Sequence, residues 1–147
     1  MHLCTAGLSY TTFAYKNLKI TRTAGGSNAG GSNAPFAVVV TIDVANTGKV
    51  AGAEVAQLYV AFPPAAGEPP QQLKGFVKTR VLTPGATAAA VTFGLRARDL
   101  SVWDEDARGW RVQVGQFGVG VGASSRDIRA KGEFTVSGRG AEMLITV

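Results

Sequence analysis

Pro35 to Pro64 reads PFAVVVTIDVANTGKVAGAEVAQLYVAFPP, and its alternation decides the fold class. Phe36, Val38, Val40, Ile42 and Val44 recur at every second residue. Thr41, Asp43 and Ala45 take the opposite parity, with Val39 as the exception. Period two is the repeat of a strand with one buried face, because successive side chains leave the backbone on opposite sides. Asn46 to Lys49 supplies a turn. Ala56, Leu58, Val60 and Phe62 form the next alternating run, with Glu54 and Gln57 as polar neighbours. Pro63-Pro64 ends it, since proline cannot donate to a ladder.

The same pattern extends outward in both directions. Leu73 to Leu82 is expected as a strand, with Gly75 marking a bulge or a close backbone approach. Thr83-Pro84-Gly85 is a turn. Further runs are Val91, Phe93, Leu95, then Trp110, Val112, Val114, then Phe117, Val119, Val121 with Gly118, Gly120 and Gly122 between them. Ile128, Ala130, Phe134 and Val136 are expected on one face, with Arg129, Lys131, Glu133 and Thr135 on the other. Upstream, Phe13 and Tyr15 have odd parity while Leu18 and Ile20 are even. One extra residue near Lys16-Asn17 reconciles them, either as a bulge or where the strand changes sheets. The only helical signal is a short turn over Arg96 to Leu100, with Asp99 or Ser101 capping locally. About seven to eight short antiparallel strands in two sheets predict an all-β sandwich.

Composition agrees with one globular domain. The chain has 147 residues, 46% hydrophobic and 17% charged. That size needs neither disulfide nor metal to fold. The net charge is +5, but Lys and Arg are scattered. A nucleic-acid site gathers them into a stripe, so no nucleic-acid partner is expected. Cys4 is the only cysteine, which leaves no intramolecular disulfide. No apolar run approaches a membrane span, so no membrane partner is expected. Met1 to Ala6 shows no secretory signal. Ala24 to Ala34 holds Gly-Gly-Ser-Asn-Ala twice and reads as a flexible loop. It lacks the Gly-Lys-Ser/Thr end of a phosphate-binding loop.

A search for catalytic groups returns little. Glycoside hydrolysis needs two carboxyl groups about 5 Å apart, or about 6.5–9.5 Å apart with a water between. The acidic run Asp104-Glu105-Asp106 reads instead as a turn before Trp110, with a calcium site as the lesser alternative. His2 is the only histidine and sits at the chain's start. Ser124-Ser125-Arg126-Asp127 reads as a turn in which Arg126 and Asp127 pair locally or with a neighbouring domain. Tyr59, Trp103 and Trp110 are the candidate planar surfaces. Tryptophan more often packs than stands free, so packing or an interface is the expected use. Tyr59 alternates with Leu58 and Val60, which places it on an outer or inter-domain face.

Six segments in order carry a resemblance. They are Gly7-Leu8-Ser9-Tyr10-Thr11-Thr12-Phe13, Val44 to Val60, Leu73-Lys74-Gly75-Phe76-Val77-Lys78, Leu82-Thr83-Pro84-Gly85, Asp99-Leu100-Ser101-Val102-Trp103-Asp104 and Val121 to Ile128. Together they resemble the C-terminal fibronectin type III-like domain of family 3 glycoside hydrolases, from about Gly7 to Val136. The resemblance implies a lead-in at 1–12, the domain at 13–136 and an extension at 137–147. It implies an immunoglobulin-like sandwich with no catalytic residues and no cofactor of its own, packed in cis against hydrolase catalytic domains. An extracellular or periplasmic setting goes with the family. The unusual edges leave open both a stand-alone product and a fragment of a longer enzyme. Such a module is expected to bear an apolar or arginine-bearing patch, with Tyr59, Trp103, Trp110 and Arg126 as the interface candidates. The alternative is a module that adsorbs to plant cell-wall polymer, lignin or polysaccharide, through its aromatics and positive charge.

Overall fold

The computed structural model describes residues 9–22, 37–138 and 144–146. The segment 24–34, expected as a loop, lies outside the described residues, as do His2, Cys4 and Phe36. Among the described residues the strands are β1 (Phe13–Arg22), β2 (Val38–Asn46), β3 (Val55–Ala61), β4 (Gln72–Lys78), β5 (Thr87–Leu95), β6 (Ser101–Asp104), β7 (Gly109–Val112), β8 (Gly115–Ser124), β9 (Asp127–Ser137) and β10 (Leu144–Thr146). All pairings are antiparallel. One sheet runs β1-β2-β5 and the other β10-β9-β8-β3-β4, while β6 and β7 form a separate hairpin. The expected sandwich is present. The hairpin and the short β10 raise the strand number above expectation.

The inner faces follow the alternation. Val38, Val40, Ile42 and Val44 of β2 share one buried cluster with Leu58 and Val60 of β3, Val91 and Phe93 of β5, Phe117 and Val121 of β8, and Phe134 and Val136 of β9. Burying each such side chain contributes on the order of 1.5–3 kcal/mol. The parity change in β1 is a bulge: pairing with β2 slips between Lys16 and Lys19, and Asn17 takes a φ of 55°. The short turn is a 3-10 helix over Ala97–Leu100. The Arg96 N–H donates to Asp99 Oδ2 at 2.8 Å, and Ser101 Oγ donates to the Ala97 carbonyl at 2.7 Å.

A polar knot closes one end of the sandwich. Asn46 is fully buried. Its Nδ2 donates to the Val50 and Leu82 carbonyls at 2.9 and 2.8 Å. Its Oδ1 accepts from Thr11 Oγ1 at 2.7 Å and from the Gly48 N–H at 3.0 Å. Gly48 must be glycine because a Cβ there would meet Thr11 Oγ1 at 2.2 Å and the Thr12 amide nitrogen at 2.7 Å.

Two expectations fail. The strand from Leu73 ends at Lys78, and Leu82 forms only an isolated bridge with Gly52. The cause is Thr79, whose Oγ1 accepts from the Glu54 N–H and donates to the Arg80 carbonyl, turning the chain away. Ile128 also leaves the face of Ala130, Phe134 and Val136. Val121 pairs with Ala130, but Gly122 pairs with Ile128, so Arg129 is an extra residue. That bulge turns Ile128 to the outer face and Arg129 toward β1.

Candidate functional site

The hairpin carries the two tryptophans. Trp103 of β6 pairs directly with Trp110 of β7, so both rings share one side. Their centroids lie 5.5 Å apart at an interplanar angle of 68°, and each residue is 48% exposed. The 3-10 turn aims Arg98 at them, its guanidinium carbon 3.6 Å from the Trp110 centroid. A cation thus occupies one face of Trp110. The acidic run closes the hairpin. Asp104 Oδ1 accepts from the Ala107 N–H at 2.9 Å, and Oδ2 pairs with Arg111 at 3.1 Å. Among the described residues, no three His, Cys, Asp or Glu side chains gather as metal ligands.

Tyr59 and Arg126 lie on the outer face of the larger sheet. Tyr59 stands opposite Leu73 on one side and Gly120 on the other. It faces outward as its parity predicts, yet is only 5% exposed. Its hydroxyl donates to Gln57 Oε1 at 2.5 Å, and Gln57 Nε2 donates to the Ala123 carbonyl at 2.8 Å. The ring is therefore not a free platform. Gly118 and Gly120 add no side chains here, and an open groove of about 760 Å³ runs beside Tyr59, bordered by Arg126, Ile128, Lys131 and Glu133. Arg126 sits exposed in the β8–β9 turn. Asp127 pairs with Arg129 at 2.6 Å, not with its neighbour Arg126.

Sequence reading missed the most exposed apolar residues of this face. Phe76 is 70% exposed, Leu73 48% and Val55 37%. The signal was their parity: Leu73 and Phe76 are three apart, yet both face outward. Lys74 is the extra residue, since Leu58 pairs with Gly75 while Tyr59 pairs with Leu73. Gly75 thus sits beside the bulge, and no close backbone approach requires it: a Cβ there would lie 3.5 Å from the Phe93 ring, an ordinary contact.

A third cluster joins the sheets. Arg129 Nη1 donates to the Phe13 carbonyl at 2.7 Å, and the guanidinium lies 5.2 Å from the Tyr15 ring centroid. Burial first, and the charge of Glu54 second, push the Tyr15 phenol well above its ordinary range. Burial also raises the Glu54 carboxyl. The hydrogen bond from Arg129 holds Asp127 below the usual carboxylate value. This cluster clasps β9 to β1.

Residues 54–125 match the family model of the fibronectin type III-like domain. The β-glucosidase cel3A of Pyricularia oryzae is 48% identical over 141 residues, covering 88% of this chain and 19% of that protein. A probable β-glucosidase L of Aspergillus fumigatus is 50% identical over 139 residues, covering 88% and 18%. The crystal structure of a β-D-glucoside glucohydrolase from Trichoderma reesei superposes with a TM-score of 0.77 at 44% identity, covering 89% of this chain and 19% of that one. The chain thus spans about a fifth of the length of these relatives.

Proposed function

This chain carries the fibronectin type III-like domain of the family 3 β-glucosidases, and on that premise we propose that it is a non-catalytic accessory module that packs against hydrolase domains and stabilises them. The observation that carries this reading is the match of 88% of the chain to about a fifth of longer β-glucosidases. The side chains support it. Asp104, the first of the acidic run, is committed to a turn and to Arg111, which leaves it poorly placed to act as acid or nucleophile. Carbohydrate degradation outside the cytoplasm is the setting that the family suggests.

The test is an exchange. This chain replaces the matching fifth of the Trichoderma reesei glucohydrolase, and thermal inactivation of β-glucoside turnover is followed. Retained turnover with an inactivation temperature near that of the parent is expected, and the isolated chain should show no turnover. Turnover by the isolated chain sinks the reading. So does an inactivation temperature indifferent to whether the module is present.

Adsorption to cell-wall polymer draws support from the half-exposed Trp103 and Trp110 and the +5 charge. Arg98 on Trp110 weighs against a sugar-stacking platform. Absence of retention on cellulose, xylan and lignin at low salt removes this second reading.

A further inference from the structure

Charge is unbalanced where β1 meets the larger sheet. Tyr15 of β1 lies between Arg129 of β9 and Glu54, the residue that precedes β3. β3 and β9 flank β8 in the larger sheet, so this contact joins the two layers of the sandwich. One cation serves two carboxylates there, and it is already committed. Arg129 Nε donates to both Asp127 oxygens at 3.1 Å, and Nη2 donates to Oδ2 at 2.6 Å. Nη1 is taken by the Phe13 carbonyl at 2.7 Å. Among the described residues Glu54 forms no ion pair. Its carboxylate is the surplus charge.

Glu54 is also held in place. Its N–H donates to Thr79 Oγ1 at 3.0 Å, and its carbonyl accepts from the Thr79 N–H at 2.8 Å. With both backbone groups fixed, the half-buried side chain starts from a pinned position. The titratable groups that face its carboxyl are Tyr15 from β1 and Arg129 and Asp127 from β9. On the β4 side its neighbour is Thr79, which does not titrate. The Tyr15 hydroxyl oxygen is shut off from water. A carboxylate that is partly desolvated and near a second carboxylate is disfavoured in its charged form. Burial accordingly raises the Glu54 carboxyl above its ordinary value of 4.5, against the lowering pull of the Tyr15 hydroxyl and Arg129.

We propose that Glu54 is an acid-operated latch on the join between β1 and the larger sheet. Ionised, it leaves a half-buried charge without a counter-ion of its own. On taking up a proton it becomes neutral, while the Arg129–Asp127 pair and the bond to Phe13 stay as they were. Mild acid therefore tightens the join. The folded chain holds this proton more readily than the unfolded chain. The gain is thus present below the ordinary value and is lost as pH rises through the higher folded one. Asp127 acts in the opposite sense, its contribution being lost as pH falls through its lowered folded value. Between the two ordinary values, 4.5 and 3.8, both contributions act together. The latch belongs to the chain itself and does not depend on the accessory role.

Glu54→Gln removes the charge and keeps the shape. Thermal unfolding of the full chain and of this variant is followed from neutral pH down to about pH 4, where the carboxyl is protonated. The variant should melt higher than the parent at neutral pH, and the gap should close as pH falls below 4.5. A variant that melts lower at neutral pH reverses the sign and overturns the proposal, as does a gap indifferent to pH. Carbon NMR of the Glu54 carboxyl in the unaltered chain reads the same proton without a substitution. Its midpoint should lie above 4.5, and a midpoint at or below that value overturns the latch. Amide exchange at neutral pH locates the effect. In Glu54→Gln the amides of Phe13 to Lys16 and of Arg129 should exchange several-fold more slowly than in the parent, with those of the β6–β7 hairpin unchanged. Equal slowing in the hairpin, or none in β1, means that the charge does not act on the join, which also overturns the proposal.

Discussion

Phe117 and Phe134 face each other across β8 and β9 as Trp103 and Trp110 do across β6 and β7. The phenylalanine rings are stacked, 5.3 Å apart and 3° from parallel, and wholly buried. The tryptophan rings meet edge to face and remain half exposed. Both are aromatic cross-strand pairs formed by an alternating strand. The difference is the layer above them. Phe117 and Phe134 share one buried cluster with residues of the second sheet, while the hairpin's rings stay half exposed with Arg98 on Trp110. Cross-strand pairing makes an aromatic contact, and tertiary cover decides what it contributes.

That contrast can be broken by mutation. Phe134→Ala should have the largest effect, a loss of about 3–5 kcal/mol from transfer and cavity together, read from urea unfolding. A loss below that of the hairpin variant would mean that the core pair is not what holds β8 to β9.

Asn46→Ala asks whether a buried polar knot rivals the aromatic core. Four hydrogen bonds end at that side chain. Leaving buried groups unsatisfied costs about 1–3 kcal/mol each, so a loss of roughly 2–3 kcal/mol is expected after local relaxation. Near-neutral unfolding would show that water replaces the amide.

Trp103→Ala should cost about 1 kcal/mol or less, since half of that side chain already meets water. Intrinsic fluorescence should shift while the midpoint of unfolding barely moves. A loss matching Phe134→Ala would show that the hairpin is part of the core.

The smallest expected effect concerns charge. Asp127 is held below its ordinary value of 3.8 by its hydrogen bond from Arg129. The unfolded chain therefore binds this proton more readily. The stabilisation is complete above the ordinary value and is lost as pH falls through the lower folded one. Asp127→Asn should lower the melting temperature slightly at neutral pH, within the range of about 0–1 kcal/mol typical of an exposed pair. The gap from the parent chain should close as pH falls below the ordinary carboxylate value. A gap that widens in acid reverses the sign and rules out this account.

Much of the architecture was legible in the chain. Alternation in β2, β3, β5 and β8 placed the core, and the parity change at Lys16-Asn17 located a real bulge. The same reasoning erred at Ile128, where Arg129 is inserted without any parity conflict to announce it. It passed over Leu73 and Phe76, where a conflict was present. Tyr59 was placed on the outer face correctly, but its burial there was not visible. Gln57 lies two residues away on the same strand, but the neighbouring glycines come from β8, and only register brings them beside it.

Period two belongs to the backbone of each strand, so strands, turns and the sandwich class could be read residue by residue along the sequence. Which side chains share an outward face depends on the rows that cross four strands. Those rows exist only after register and bulges have set one strand against the next, because side chains separated by dozens of residues become neighbours only through the hydrogen-bonded ladder.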